Sequence, residues 1–128
     1  MSNLFIGLGA FSAFVAVAAG AFGAHALKQV LDADMLAVYH TAVDYQFFHS
    51  IGLISVGALH KLSPRRYQAA AGWAMLVGII IFSGSLYTLS MTSIKWLGMI
   101  TPIGGVSFLA AWLILALSYL TGTDNNEG

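Results

Sequence analysis

The sequence predicts an all-α integral membrane protein, a four-helix transmembrane bundle. Three observations carry that prediction. Of the 128 residues 59% are hydrophobic and only 8% charged, with mean hydropathy +0.83, whereas a soluble domain carries roughly 25% charged residues. The apolar residues fall into long runs separated by short polar turns, as crossings of a roughly 30 Å hydrocarbon layer require. Small residues recur at helical spacing, which lets helices approach closely in lipid. One domain is expected, with spans at about residues 4–24, 40–60, 67–89 and 98–120 and a polar tail at 121–128. The formal net charge is zero and there is no basic patch, so nucleic-acid binding has no support. The absence of cysteine excludes disulfides, iron–sulfur clusters and thiol catalysis.

The first helix is expected over about 21 residues, 4–24. Its start, Met-Ser-Asn-Leu-Phe, has no Lys or Arg, and the apolar run is long, so a retained helix is expected rather than a cleaved signal. Ser12, Ala16, Gly20 and Ala24 repeat every four residues, with Gly9 and Ala13 beside them. The motif Gly20-Ala-Phe-Gly-Ala-His25 closes the helix and reads as a packed end with an interfacial histidine. In the following loop, Asp32 or Asp34 is placed to cap the second helix.

The second helix is expected from about 33 to 60, roughly 28 residues, longer than one perpendicular crossing needs. Its start, 35–43, reads as amphipathic and interfacial. The uninterrupted apolar run 51–59 is too short to cross alone, so the crossing must reach back to about His40. Asp44, Gln46 and His49 are thereby drawn into or near the bilayer, where polar side chains are costly without partners.

The turn 60–66 is the most basic, with Lys61, Arg65 and Arg66, and Pro64 is placed to open the third helix. That helix, about 67–89, carries a second small-residue stripe, Ala70, Ala74 and Gly78, and ends in the polar motif Phe82-Ser-Gly-Ser-Leu-Tyr87. Trp96 is an interface anchor. The fourth helix either starts at Thr101, with Pro102 in its first turn, or starts near Trp96 and is kinked by Pro102. The tail from Thr121 is polar and acidic and reads as mobile. Four crossings put both termini at the end that holds Lys61, Arg65 and Arg66. Lys28 and Lys95 hold the other, so both termini are expected in the cytoplasm.

At 100° per residue His40 and Asp44 share a face with Phe47 and Ile51, while Tyr45 and His49 lie nearly opposite. A shared intramembrane site must therefore add His25, Ser83, Ser85, Tyr87 or Thr101 from other helices to His40, Asp44, Tyr45, Gln46 and His49. Three readings compete for Asp44. It accepts hydrogen bonds and fixes packing; it titrates with the histidines in proton or solute passage; or the cluster holds a cofactor or metal. For haem or quinone, His25 and His49 are the candidate pair; for zinc, His40, Asp44 and another histidine. No nucleophile-elbow or HExxH pattern is present, and no enzymatic activity is expected.

Gly20-Ala-Phe-Gly-Ala-His25, Tyr45-Gln46 with His49, Phe82-Ser-Gly-Ser-Leu-Tyr87 and Thr101-Pro-Ile-Gly-Gly-Val-Ser-Phe108 together resemble the motifs of the YgdD/YwdK-like small inner-membrane proteins. That family is a domain of unknown function with eukaryotic transmembrane relatives. The resemblance runs in order from about residue 4 to 120. It implies a bacterial cytoplasmic-membrane protein with about four crossings, and no activity, cofactor or ligand residue. Where relatives have a basic tail, this chain has Asp124 and Glu127. The function expected is a structural, assembly or accessory role, as a homo-oligomer or a subunit of a membrane complex. A small transporter or a redox helper is the alternative.

Overall fold

The computed structural model describes residues 1–121, apart from the side chain of Ala24; the expectation for the tail beyond Thr121 lies outside the described residues. Five α-helices, α1 (Ser2–Ala26), α2 (Ala33–Leu62), α3 (Gln68–Gly78), α4 (Gly84–Thr92) and α5 (Thr101–Leu120), follow one another. A π-helical turn, Ile79–Ser83, joins α3 to α4 in one rod, and a 3₁₀ turn, Lys95–Met99, precedes α5. Among the described residues there is no strand. The rods thus number four, as expected.

Three of them, Ser2–Gly23, Gln68–Thr92 and Lys95–Leu120, are long and apolar enough to cross a membrane. The 30-residue α2 is longer but is not among them: its middle holds Asp44, Gln46 and His49. The expectation of four spans is therefore met by composition for three.

Local chemistry sets the helix ends. The Asp32 carboxylate accepts from the Met35 backbone N–H at 2.8 Å and caps α2, as one of the two proposed caps. Pro64 does not open α3; it lies in the turn, and α3 begins at Gln68 after Tyr67 in the left-handed conformation, φ 70°. Ser93, φ 58°, ends α4 in the same way. The last helix starts at Thr101 with Pro102 in its first turn, so Pro102 does not kink a longer helix. Thr101 contributes no side-chain cap; its hydroxyl turns to Ser85 instead, at 2.6 Å.

The tightest pairing is α1 antiparallel to α2. At Gly9 an added Cβ would lie 2.8 Å from the Ser50 carbonyl oxygen, and at Gly57 2.7 Å from that of Ser2, so backbone meets backbone at both places. Ala16 is 1% exposed against α2. The first small-residue stripe therefore does what its spacing implied. The second does so in part: Gly78 is buried against the Phe108 ring, but Ala70 faces outward, and the inner face is instead Gln68, Ala71, Gly72 and Met75.

The most polar rod is the central one. It buries Tyr39, Ala42, Gln46, His49, Ser50, Leu53 and Val56 against its neighbours. Phe5, Leu53, Val56, Met75 and Ala111 form the apolar core at one end, and Ala42, Leu86 and Leu89 a smaller one at the other. Lys61 donates to Asn3 Oδ1 at 3.3 Å, Ser118 Oγ bonds the Arg66 carbonyl at 2.9 Å, and Gln68 Nε2 donates to the Tyr119 hydroxyl at 2.9 Å. The start of α1, the 61–67 turn and the end of α5 thus share one end of the bundle.

Overpacking at the α1–α2 contact should be selective. Gly9→Leu is expected to lower stability in detergent by about 1–3 kcal/mol, since Ser50 and Ile54 leave no room. Gly7→Leu, with nothing within 4 Å of its Cβ, should stay within about 0.5 kcal/mol of the parent. Thermal melts of the two variants in one detergent check this.

Candidate polar site at the centre of the bundle

A primary amide can donate twice and accept twice without carrying charge, which suits it to a low-dielectric interior. Gln46 uses both ends. Its Nε2 donates to the Ser12 carbonyl at 3.1 Å and lies 3.3 Å from the Ser12 hydroxyl, and its Oε1 accepts from the Tyr87 hydroxyl at 2.7 Å. One side chain thereby ties α1, α2 and α4 together. Ser50, one turn on, is bonded to the Ser12 hydroxyl at 2.7 Å and to the Gln46 carbonyl at 2.6 Å. Tyr39, two turns back along α2, donates to the Ala19 carbonyl at 2.6 Å and packs edge-on against Tyr87 at 5.4 Å. The Ser83 hydroxyl donates to the Ala42 carbonyl at 2.9 Å.

A second group surrounds His49. Its Nδ1 lies 2.7 Å from the Tyr45 carbonyl oxygen, which can only accept, so Nδ1 carries the proton. Nε2 is then the acceptor for the Trp112 indole N–H at 3.0 Å. The ring stacks on Phe108 at 3.5 Å and on Tyr45 at 5.9 Å. Both nitrogens of this neutral imidazole are in use. Tyr45, His49, Phe82, Phe108 and Trp112 with Gly105 line an apolar cleft of about 490 Å³. The π turn contributes Phe82, and Gly104 rests against its backbone, where an added Cβ would lie 2.8 Å from Phe82 Cα.

The third group was not singled out from the sequence. Gln68, 0% exposed, accepts from the Arg65 backbone N–H at 2.8 Å, lies 2.9 Å from His60 Nδ1, and donates to Tyr119. Ser12, Tyr39, Ser50 and Gln68 were all missed as site residues. In the sequence Ser12 shows only as a small residue of the α1 stripe, and Ser50 lies four residues after Gln46, a spacing that carries the signal.

Of the ten candidates, Gln46 and Tyr87 bond directly, Ser83 joins the same helices, Tyr45 and His49 stack together, and Ser85 pairs with Thr101. His25, His40 and Asp44 are exposed and join none of these groups. Asp44 lies beside a second cleft, of about 390 Å³, with Ala16, Val17, Gly20 and Phe48, and makes no hydrogen bond within the described chain. The packing role expected of the carboxylate belongs to the neutral Gln46 on the inner face, 200° round the helix. Nor do His25 and His49 meet. His49 is level with Ser12, which its neighbours Gln46 and Ser50 both bond, and thirteen residues further along α1 puts His25 about 20 Å away. Among the described residues no three His, Asp or Glu side chains gather where they could hold a metal ion.

Residues 19–105, which include Gln46, Tyr87 and His49 but not Ser12, Phe108 or Trp112, match a family described as "Protein of unknown function (DUF423)". The chain belongs to this family. Its relatives include the UPF0382 membrane protein YwdK of Bacillus subtilis, 47% identical over 91% of this chain and 95% of that one. A UPF0382 membrane protein of Staphylococcus haemolyticus is 45% identical over 91% and 94%, and one of Haemophilus influenzae 41% identical over 91% and 93%. No solved structure matches. The relatives, matched over nearly their whole length, are named membrane proteins, which agrees with three apolar rods here and with the resemblance seen in the motifs.

Mutation should separate the clasp from the outward acid. Gln46→Leu is expected to cost about 1–3 kcal/mol, because Tyr87 loses its acceptor. Adding Tyr87→Phe should cost less in that background than in the parent. Asp44→Asn should stay within about 0.5 kcal/mol of the parent. Melts of the parent, the three single variants and the double variant in one detergent measure all three.

Proposed function

We propose that the chain crosses the bacterial cytoplasmic membrane four times, with both termini in the cytoplasm, and serves there as a non-enzymatic structural, assembly or accessory protein. One observation carries the non-enzymatic reading: among the described residues most buried polar side chains are spent on bonds that join one helix to another or to a turn. Gln46 and His49 are bonded at both ends, and the buried serines lean on carbonyls or on other hydroxyls. None presents a nucleophile with a base beside it.

The fourth crossing is supported by the course of α2. It follows α1 from the contact of Gly57 with Ser2 to that of Tyr39 with Ala19, and so runs alongside an apolar rod for most of its length. A helix whose neighbours lie in hydrocarbon lies there too, with its first two turns, 33–38, left for the interface. Lys61, Arg65 and Arg66 at the end shared with the termini, against Lys28 and Lys95 at the other, favour that end as cytoplasmic.

The aromatic cleft favours a second reading, a redox helper that holds a planar lipophilic ring such as a quinone. Its volume is within the ordinary ligand range, and His49 would contribute a ring face rather than a ligand atom.

Since the chain has no cysteine, single-cysteine labelling is free of background. With a membrane-impermeant maleimide on intact cells, Gln29→Cys and Lys95→Cys should be labelled and Asn3→Cys and Lys61→Cys should not. Labelling of Gln29→Cys and Lys61→Cys from the same side would remove the fourth crossing. In proteoliposomes with a pH-sensitive dye, the parent and Asp44→Asn should be as proton-tight as empty vesicles. A leak that Asp44→Asn abolishes would transfer the function to conduction.

A further inference from the structure

One carboxylate of the described chain stands apart from both ends of the bundle. Asp32 and Asp34 flank the start of α2, whereas Asp44 lies on its outer face, about three turns in. No described side chain donates to it or forms an ion pair with it. It borders the 390 Å³ cleft between α1 and α2, where Gly20 has no side chain and Ala16 only a methyl, so the groove stays open. Val17, Phe47 and Phe48 supply much of the remaining wall, with Phe48 69% exposed. Apolar and aromatic walls around one convergent polar group are the usual make-up of a small-ligand site.

On the four-crossing reading, on which this inference rests, the apolar span of α1 runs to Gly23. The cleft lies against Ala16 and Gly20, three to seven residues before that end, so Asp44 sits about 5–10 Å inside the hydrocarbon. Lipid tails offer the carboxylate neither a donor nor a countercharge. A metal ion fits poorly. Among the described residues no three ligating side chains gather, and hard cations take six or more oxygens. A cation that carries its own apolar body meets both demands of the cleft, countercharge at Asp44 and apolar contact everywhere else.

We infer that the α1–α2 cleft is a binding site for a hydrophobic organic monocation, a protonated amine on a compact apolar body. The ammonium donates to Asp44 in a charge-assisted hydrogen bond. The body replaces lipid against Val17 and Gly20, and the rings of Phe47 and Phe48 add the attraction of aromatic faces for positive charge. The ligand carries no acidic group, which would be set beside Asp44 and repelled. That separates it from the other ammonium in a bilayer, the phosphatidylethanolamine headgroup, whose phosphate lies next to its amine. Entry is sideways, from the leaflet on the side of the 27–32 loop, where Val17 and Phe48 are exposed. The aromatic cleft on the α5 side, lined by His49 and Trp112, has no charged group and lacks this selectivity.

The experiment is equilibrium dialysis of radiolabelled adamantylamine against the full chain in phosphatidylcholine nanodiscs at neutral pH, with uptake by empty nanodiscs subtracted. Saturable binding is expected, and adamantanol, nearly the same shape without the charge, should not compete. Asp44→Asn, whose stability should match the parent's, should weaken binding roughly tenfold to a hundredfold, the worth of a hydrogen bond to a charged group. Asp44→Glu keeps the carboxylate and should retain binding. Val17→Trp fills the cleft from the lipid side and should block it; Leu109→Trp does the same to the aromatic cleft and should change nothing. No saturable binding, equal competition by adamantanol, or parent-like binding by Asp44→Asn would overturn the site. So would loss in Leu109→Trp with retention in Val17→Trp, which would move the cation to the aromatic cleft. Displacement by phosphatidylethanolamine added to the nanodiscs would overturn it too, giving the cleft to a lipid. The labelling of Gln29→Cys and Lys61→Cys tests the crossing separately, so opposite sides without binding would sink the cation site and leave the topology standing.

Discussion

Three helices meet at one uncharged amide. Gln46 reaches back to Ser12 on α1 and is held from the other side by Tyr87 on α4. In lipid, burial of apolar area does not distinguish a helix partner from a lipid tail, so close packing and interhelical hydrogen bonds must supply the preference. The amide provides directed bonds with no charge to desolvate. It also sets rotation: with Gln46 inward, His49 turns to α5, Ser50 to α1, and the ridge of His40 and Asp44 turns out.

The remaining interior is arranged around that choice. Glycines appear where a backbone must come close, at Gly9 and Gly57 between α1 and α2 and at Gly104 against Phe82. The π turn at Ile79–Ser83 lies where α5 makes that approach, and its Phe82 forms part of the aromatic group around His49. A second amide, Gln68, performs at the bundle's end what Gln46 performs at its centre, joining the 61–67 turn to α5. The ionised side chains stand at the ends or on the outside. In this membrane protein of the DUF423 family the interior is built for packing by neutral side chains.

Much of this was legible before any coordinates. Four helical rods, the stripe on α1, a cap from Asp32 or Asp34 and the prominence of Tyr45, Gln46, His49 and Tyr87 all follow from spacing and from the cost of polar groups in hydrocarbon. The errors share one cause. In water the apolar face of a helix marks the inside; in lipid both faces are apolar, and the pattern no longer says which way a helix is turned. Of the three readings of Asp44, the interior acceptor therefore fails because the side chain faces out, and the stripe through Ala70 gives way to a contact face of Ala71 and Gly72. Depth is hidden for a related reason: the distance between His25 and His49 depends on the register of α1 against α2, which Gly9 and Gly57 determine through contacts far apart in the chain.

The sequence by itself determined the class of protein, the count of rods and the residues too polar to be idle, because composition and period act locally and need no partner. Only the tertiary structure decided which of those residues meet. Two polar faces on one helix offer equal claims to the interior, and the claim is settled by whether a neighbouring helix presents a serine, a tyrosine and a glycine at the right height.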